Sequence, residues 1–166
     1  MSDENTIGVV SVSRRIAAPA DQIFAVLADP ARHMELDGSA MLRGDVDATP
    51  IAGVGDVFVM KMYFDQLGGD YVMRNHVAAF EPGRRIAWTP AGGDERSTQG
   101  EFEIDVPAGH QWSFDLEPDG SSATVVTETY DCTAAPKSLQ EAVGHGEIWR
   151  GAMTATLERL DKACTA

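Results

Sequence analysis

The sequence predicts an α+β fold, in which a curved antiparallel sheet of about seven strands is closed on one face by a long C-terminal helix. Three observations predict it. Strand-like segments follow one another from residue 41 to residue 132 with no helix-length apolar period between them, so the sheet must be antiparallel, with helices segregated to one face. The only long amphipathic stretch is the last one, residues 138–163. Two short helical signals sit directly after the first strand. The length of 166 residues fits one domain, 1–166, with residues 1–6 as a disordered tail.

Residues 7–17 (IGVVSVSRRIA) alternate and are rich in β-branched side chains, which reads as a strand. Pro19 suits a helix first turn and Asp21 its positive end, while Ile23, Phe24 and Leu27 form an apolar face. Asp29-Pro30 ends that helix, since a residue before proline avoids the α region. A second short helix, residues 30–35, precedes the turn Asp37-Gly38-Ser39. Strands are then expected at 41–46, 55–64, 71–80 and 85–89, the last two separated by the turn Glu81-Pro82-Gly83-Arg84. Residues 90–109 are the least regular, although 100–106 (GEFEIDV) suit an edge strand. Strands 110–117 and 124–132 form a hairpin around Pro118-Asp119-Gly120-Ser121. In the final helix Trp149, Met153, Leu157, Leu160 and Cys164 recur every three or four residues, and a break is expected near residues 144–146, where Gly144 and Gly146 each cost roughly 1 kcal/mol of helix stability. A curved sheet gripping one long helix is the helix-grip arrangement, which often leaves a cavity between the two.

Composition narrows the functions. Acids outnumber bases 26 to 13, for a net charge of −13 spread along the chain, and no basic cluster exceeds the pairs Arg14-Arg15 and Arg84-Arg85. Nucleic acid and anionic membranes are poor partners for such a surface. No run of 18 apolar residues or secretory signal is present, so a soluble, cytoplasmic protein without membrane insertion is expected. Cys132 and Cys164 follow no metal or redox spacing; two free thiols are expected, with a disulfide as the alternative. The four histidines, His33, His76, His110 and His145, lack ligand spacing, and no phosphate loop, dinucleotide motif or nucleophile elbow occurs. No metal or cofactor is therefore expected.

Along nearly its whole length the chain resembles the START-like, or Bet v 1-like (SRPBCC), superfamily, and within it the bacterial polyketide cyclase/dehydrase-like group. The resemblance is carried by residues 16–24 (IAAPADQIF), 28–30 (ADP), 36–39 (LDGS), 80–88 (FEPGRRIAW), 110–118 (HQWSFDLEP), 127–131 (TETYD) and 153–160 (MTATLERL). It implies a helix-grip fold and a hydrophobic ligand cavity, which different relatives use for lipid or polyketide binding, transport or aromatic ring closure.

Register decides which side chains face such a cavity. His110, Trp112, Phe114 and Leu116 share the inward face of their strand. An odd hairpin loop centred on Gly120 turns Thr124, Val126, Glu128 and Tyr130 inward, with Glu128 opposite Trp112 and Tyr130 opposite His110. An even loop would instead turn Val125, Thr127 and Thr129 inward; the odd loop is preferred because it buries Val126 and Tyr130. On the preceding hairpin an even loop pairs Met62 with Met73 and Met60 with Asn75. Phe58, Met60, Met62, Tyr71, Met73, Asn75 and Val77 then face inward, and Lys61, Arg74 and His76 outward.

The expected ligand-binding set is Phe58, Met60, Met62, Tyr71, Met73, Asn75, Trp88, Trp112, Phe114, Glu128, Tyr130, Trp149 and Met153. Methionines give a wall that adapts to irregular apolar ligands, though core packing explains the same stripe equally well. Each Trp adds a large apolar body with one donor. Glu128 is the most informative residue, because an unpaired carboxylate facing an apolar cavity has a raised pKa. It either hydrogen-bonds to His110 or a tryptophan N–H, contacts a ligand or moves a proton, or faces water. The preferred function is binding or transport of a small hydrophobic, lipid- or polyketide-like metabolite. The alternative is a cyclase/dehydratase-type enzyme with Glu128, His110 and Tyr130 as acid/base candidates; the third is an acidic protein-interaction or stress accessory. Ligand identity and oligomeric state are not encoded in any motif.

Overall fold

A computed structural model describes residues 6–45, 49–65, 68–98 and 102–165. Of the expected N-terminal tail, 1–5 lie outside the described residues. The order is β1 (Val9–Ile16), α1 (Ala20–Leu27), a 3₁₀ turn (Pro30–Arg32), α2 (His33–Leu36), β2 (Leu42–Asp45), β3 (Val57–Phe64), β4 (Gly69–Glu81), β5 (Arg85–Gly92), β6 (Gln111–Pro118), β7 (Thr124–Asp131), α3 (Lys137–Ala142), a second 3₁₀ segment (Gly144–Trp149) and α4 (Arg150–Thr165). Extended Pro19 leads into α1, and the Asp29 carboxylate accepts the Ala31 N–H to cap the 3₁₀ turn. The strands form one antiparallel sheet in the order β1-β7-β6-β5-β4-β3-β2, so the first strand lies beside the last. This is the helix-grip α+β arrangement.

Two apolar clusters hold α4 to the sheet. The larger joins Ile23, Phe24 and Leu27 of α1 to Ile16, Ile86, Phe114, Leu116 and Val126 of the sheet and to Leu157, Leu160 and Cys164 of α4. The smaller gathers Val10, Tyr130, Cys132, Ala135, Val143 and Met153 at the start of α4. Both cysteines are free and buried.

Four expectations need correction. The β6–β7 loop is odd, but its five residues, 119–123, are centred on Ser121, where Asp119 N–H donates to the Ala123 carbonyl (2.8 Å). Glu128 therefore lies opposite Phe114, and Tyr130 opposite Trp112. The inward face is unchanged; Thr127 and Thr129 bond on the outer face to Ser13 and Ser11. The β3–β4 hairpin is likewise one pair over, with Met60 opposite Met73, Met62 opposite Tyr71 and Phe58 opposite Asn75.

The expected strand at 100–106 does not form among the described residues. Glu103 bridges Val106 around Asp105, which has a positive φ of 61°, so the segment folds on itself. It lies instead against the part of β5 beyond Trp88, where β6 no longer pairs; there β5 runs on through Pro90 to Gly92. Lastly, the long helix does not extend over 138–163: the expected break falls at Gly144, His145 and Gly146, three successive positive-φ residues, and leaves a short α3 before it and only α4 long. At Gly146 a Cβ would press on the Tyr130 ring at 2.9 Å, so a close approach as well as the turn excludes a side chain.

Candidate functional site

Between sheet and helices lies a cavity of about 540 Å³, lined by side chains of α2, β2–β7, α3 and α4. The alternation of β3, β4, β6 and β7 points every second side chain inward. Phe58, Met60, Met62, Tyr71, Met73, Asn75, Trp88, Trp112, Phe114, Glu128, Trp149 and Met153 all reach the cavity surface. Tyr130 does not. It is fully buried and stands behind the wall, inside the smaller cluster. A shallower recess lined by residues 38–41 and 63–65 with Ile148, Trp149 and Ala152 adjoins the cavity and shares six residues with it, among them Met41, Phe64 and half-exposed Ile148.

The break at residues 144–146 builds this end of the site. It turns the chain so that Leu139, Val143, Ile148 and Trp149 come down over the sheet before α4 begins. Trp112 packs on Tyr130 (ring centroids 4.6 Å) and Trp149 (5.9 Å), making an aromatic corner. At the other end Trp88 stacks on His33 (5.4 Å, 24°) and meets Phe58 edge-on (5.2 Å). His33 was not among the expected residues. Its three-residue spacing from Leu36 on a short helix is the signal that both face the sheet. Its Nε2–H donates to the Leu27 carbonyl (2.7 Å), and burial lowers its pKa. Phe102, Ser97 and Asp37 were also missed, because they sit in loops where side-chain direction has no period.

Three polar atoms of lining residues stand unpartnered, Glu128 Oε1, His110 Nε2 and Trp149 Nε1. Glu128 is 5% exposed; burial pushes its carboxyl up to about 8, and the negative charge of Asp37 adds to the rise. The Asp37 carboxylate itself is saturated by the Ser39 N–H (3.0 Å), the Ser39 hydroxyl (2.6 Å) and the Leu42 N–H (2.9 Å). His110 is 8% exposed, and burial lowers its imidazole to about 4. Its Nδ1 lies 2.7 Å from the Tyr130 hydroxyl. Burial raises the Tyr130 pKa, so the phenol stays neutral and shares one hydrogen with Nδ1. The other nitrogen of the neutral imidazole, Nε2, is directed away from Tyr130 and meets no partner. His110 thus bonds to Tyr130 and not to Glu128. At neutral pH the cavity presents a protonated carboxyl and an uncharged imidazole.

Among the described residues no group of three or more His, Cys, Asp or Glu is placed to hold a metal ion, and no helix is long and apolar enough to cross a membrane.

Comparison with known proteins places this geometry in context. The chain is 33% identical over 158 residues to the "Uncharacterized protein Rv0088" of Mycobacterium tuberculosis (strain H37Rv), an alignment covering 92% of this chain and 62% of the relative. The chain thus spans about three-fifths of the length of the curated relatives it matches. Among solved structures, a Mycobacterium smegmatis protein is similar at TM-score 0.69 with 18% identity, covering 99% of this chain and 95% of that one. A Chromobacterium violaceum protein gives 0.68 with 16% identity over 96% and 98%. The Zhui aromatase/cyclase of a Streptomyces species gives 0.63 with 16% identity over 94% and 92%. At these identities the likeness shows the fold. The family profile "Polyketide cyclase / dehydrase and lipid transport" matches residues 8–165, which is nearly the whole chain, and the protein belongs to that family.

Proposed function

We propose that the chain is a single ligand-binding domain that holds a small hydrophobic metabolite between the sheet and α4. The observation that carries this reading is the cavity of about 540 Å³, walled by methionine and aromatic side chains, with only a few polar groups reaching it. A volume of that size suits a drug-sized molecule. Family membership supports the reading. Native mass spectrometry of the purified protein, followed by extraction and identification of what is bound, tests it: co-purification of an apolar molecule, displaced when Phe114 is changed to Trp to fill the cavity, is the expected result. An apolar fluorophore that binds equally well to the protein and to the Phe114→Trp variant would count against it.

A second reading, a cyclase/dehydratase-type enzyme, is favoured by one specific observation. Glu128 and His110 have pKa values pushed in opposite directions, so a carboxylic acid able to give a proton and an imidazole able to take one share the cavity wall. The similarity to an aromatase/cyclase supports it at the level of fold alone. Glu128→Gln separates the readings. Loss of turnover of a polyketide-like substrate with retained binding supports the enzyme, whereas a modest change in affinity and nothing else supports the binding module.

A further inference from the structure

The cavity has a sign. No Lys or Arg lines it among the described residues, while Asp37 and Glu128 both do. Glu128 is the deeper of the two, nine-tenths buried, with Oε1 meeting no donor. A buried carboxyl with one oxygen unsatisfied lacks a partner that a ligand can bring. Its surroundings narrow the choice of that partner. Phe114 lies directly opposite on β6, and Tyr130, two residues along β7, carries the packed rings of Trp112 and Trp149. Aromatic faces next to a carboxylate stabilise a cation, and the unpartnered Trp149 Nε1–H in this corner is a neutral donor that brings no countercharge to an anion. A fatty-acid or phosphate headgroup would find no countercharge there and would be repelled by Asp37.

We propose that the cavity takes an apolar ligand bearing a protonated amine, whose ammonium group pairs with the Glu128 carboxylate beside the aromatic corner. This rests on the binding reading above and names the chemical class of the ligand. Binding is proton-linked: the ammonium ion favours the ionised carboxylate, and the proton leaves Glu128 for solvent. The other titratable or charged groups around the cavity are His33, Asp37, Tyr71, His110 and Tyr130, with Arg159 reaching the Asp37 main-chain carbonyl from outside. His33 and His110 are held neutral and Asp37 is saturated, so Glu128 dominates the pH response between 6 and 8.

The test compares three probes on one skeleton, 2-naphthylmethylamine, 2-naphthalenemethanol and 2-naphthoic acid, by calorimetric titration of the full chain. The amine is expected to bind at least about tenfold more tightly than the alcohol at pH 8, and the acid not at all. Amine affinity should rise by up to about tenfold from pH 6 to pH 7, with release of about one proton, while the alcohol shows no such rise. Glu128→Gln should erase the amine's advantage over the alcohol and its proton release; a melting curve verifies that the variant is folded, and the wild-type pH series stands without it. Equal or tighter binding of the acid, or amine binding that Glu128→Gln leaves intact, overturns the proposal while leaving the binding reading in place. No binding by any of the three overturns the binding reading and the proposal together.

Discussion

The Cα of Gly38 lies against the main chain of Ala152 so closely that a methyl group on it would collide with the Ala152 carbonyl and come within 2.8 Å of the Thr156 nitrogen. Gly38 N–H also donates to Thr156 Oγ1 (3.0 Å), and Arg159 donates to the Asp37 carbonyl. The loop after α2 therefore lies main chain against main chain on α4 and is fastened there by two α4 side chains. Gly38→Ala must push the two apart, at a cost of about 1–3 kcal/mol for overpacking. Urea denaturation measures the loss, and the same variant should bind apolar fluorophores differently because the cavity mouth is widened. An unchanged midpoint would show that the contact is slack.

Trp112 and Trp149 are partly exposed to the cavity rather than sealed in the core. Replacing either by Ala should cost less than the ~3–5 kcal/mol of a fully buried aromatic, while affinity for an apolar fluorophore falls. Wild-type affinity in both variants would remove the aromatic corner from the binding wall.

Stability should depend on pH through buried groups of opposite sign, the Glu128 carboxyl against the His110 and His33 imidazoles. Glu128 has its folded pKa raised to about 8. The unfolded chain releases this proton above about 4.5 and the folded one keeps it. Its contribution is whole below the unfolded value and declines through the folded one, by about 1.4 kcal/mol per pH unit between them. His110 has its folded pKa lowered to about 4, so its contribution is whole above about 6.5 and lost as pH falls. From about pH 4.5 to 6.5 the Glu128 slope is opposed by that of His110 and by His33, whose pKa burial lowers in the same way, and from 6.5 to 8 only the Glu128 decline remains. Glu128→Gln should flatten that decline and exceed the wild type in stability at pH 8 by a few kcal/mol. Denaturant titrations at pH 5.5, 6.5 and 8 check this; a wild type that gains stability over the last interval would contradict it.

On the convex face the Asp105 carboxylate accepts from Arg74 Nε and His76 Nε2, both at 2.8 Å, and its own N–H donates to the Gly92 carbonyl (2.8 Å). This clasp holds the segment covering the free edge of β5. Asp105→Ala should speed hydrogen exchange at the Gly92 and Asp105 amides, which bond across that junction, with no change at Tyr130. Uniform acceleration throughout the sheet would mean that the clasp supports the whole fold.

Side-chain alternation is a local property, and it was legible: Met60, Met73, Trp112 and Glu128 all face the side that their strands' period assigned. Pairing was less so. Parity of each hairpin followed from which residues must be buried, but the partner depends on where the loop closes, and Gly120 in the turn drew the centre one residue too early. The strand expected at 100–106 had the right composition and lost to a positive φ at Asp105 that no alternation reveals. His110 was placed next to Tyr130 by the expected register, and the two do bond although the observed pairing sets Tyr130 opposite Trp112, because a histidine side chain reaches its diagonal neighbour across the strands. The cavity's volume depends on how far α4 stands from the sheet, which Gly38 and the break at 144–146 set together.

The division of the interior into two apolar clusters has an evolutionary consequence. The cluster built by α1, Ile16, Ile86 and the second half of α4 lies mostly away from the cavity wall, and it holds the sheet and α4 together. Lineages descending from such a chain are free to rewrite Met73 or Trp149 and so take up a new small molecule, while the ancestral scaffold is inherited intact. Innovation in this molecule is confined to one end, and heredity is guarded at the other.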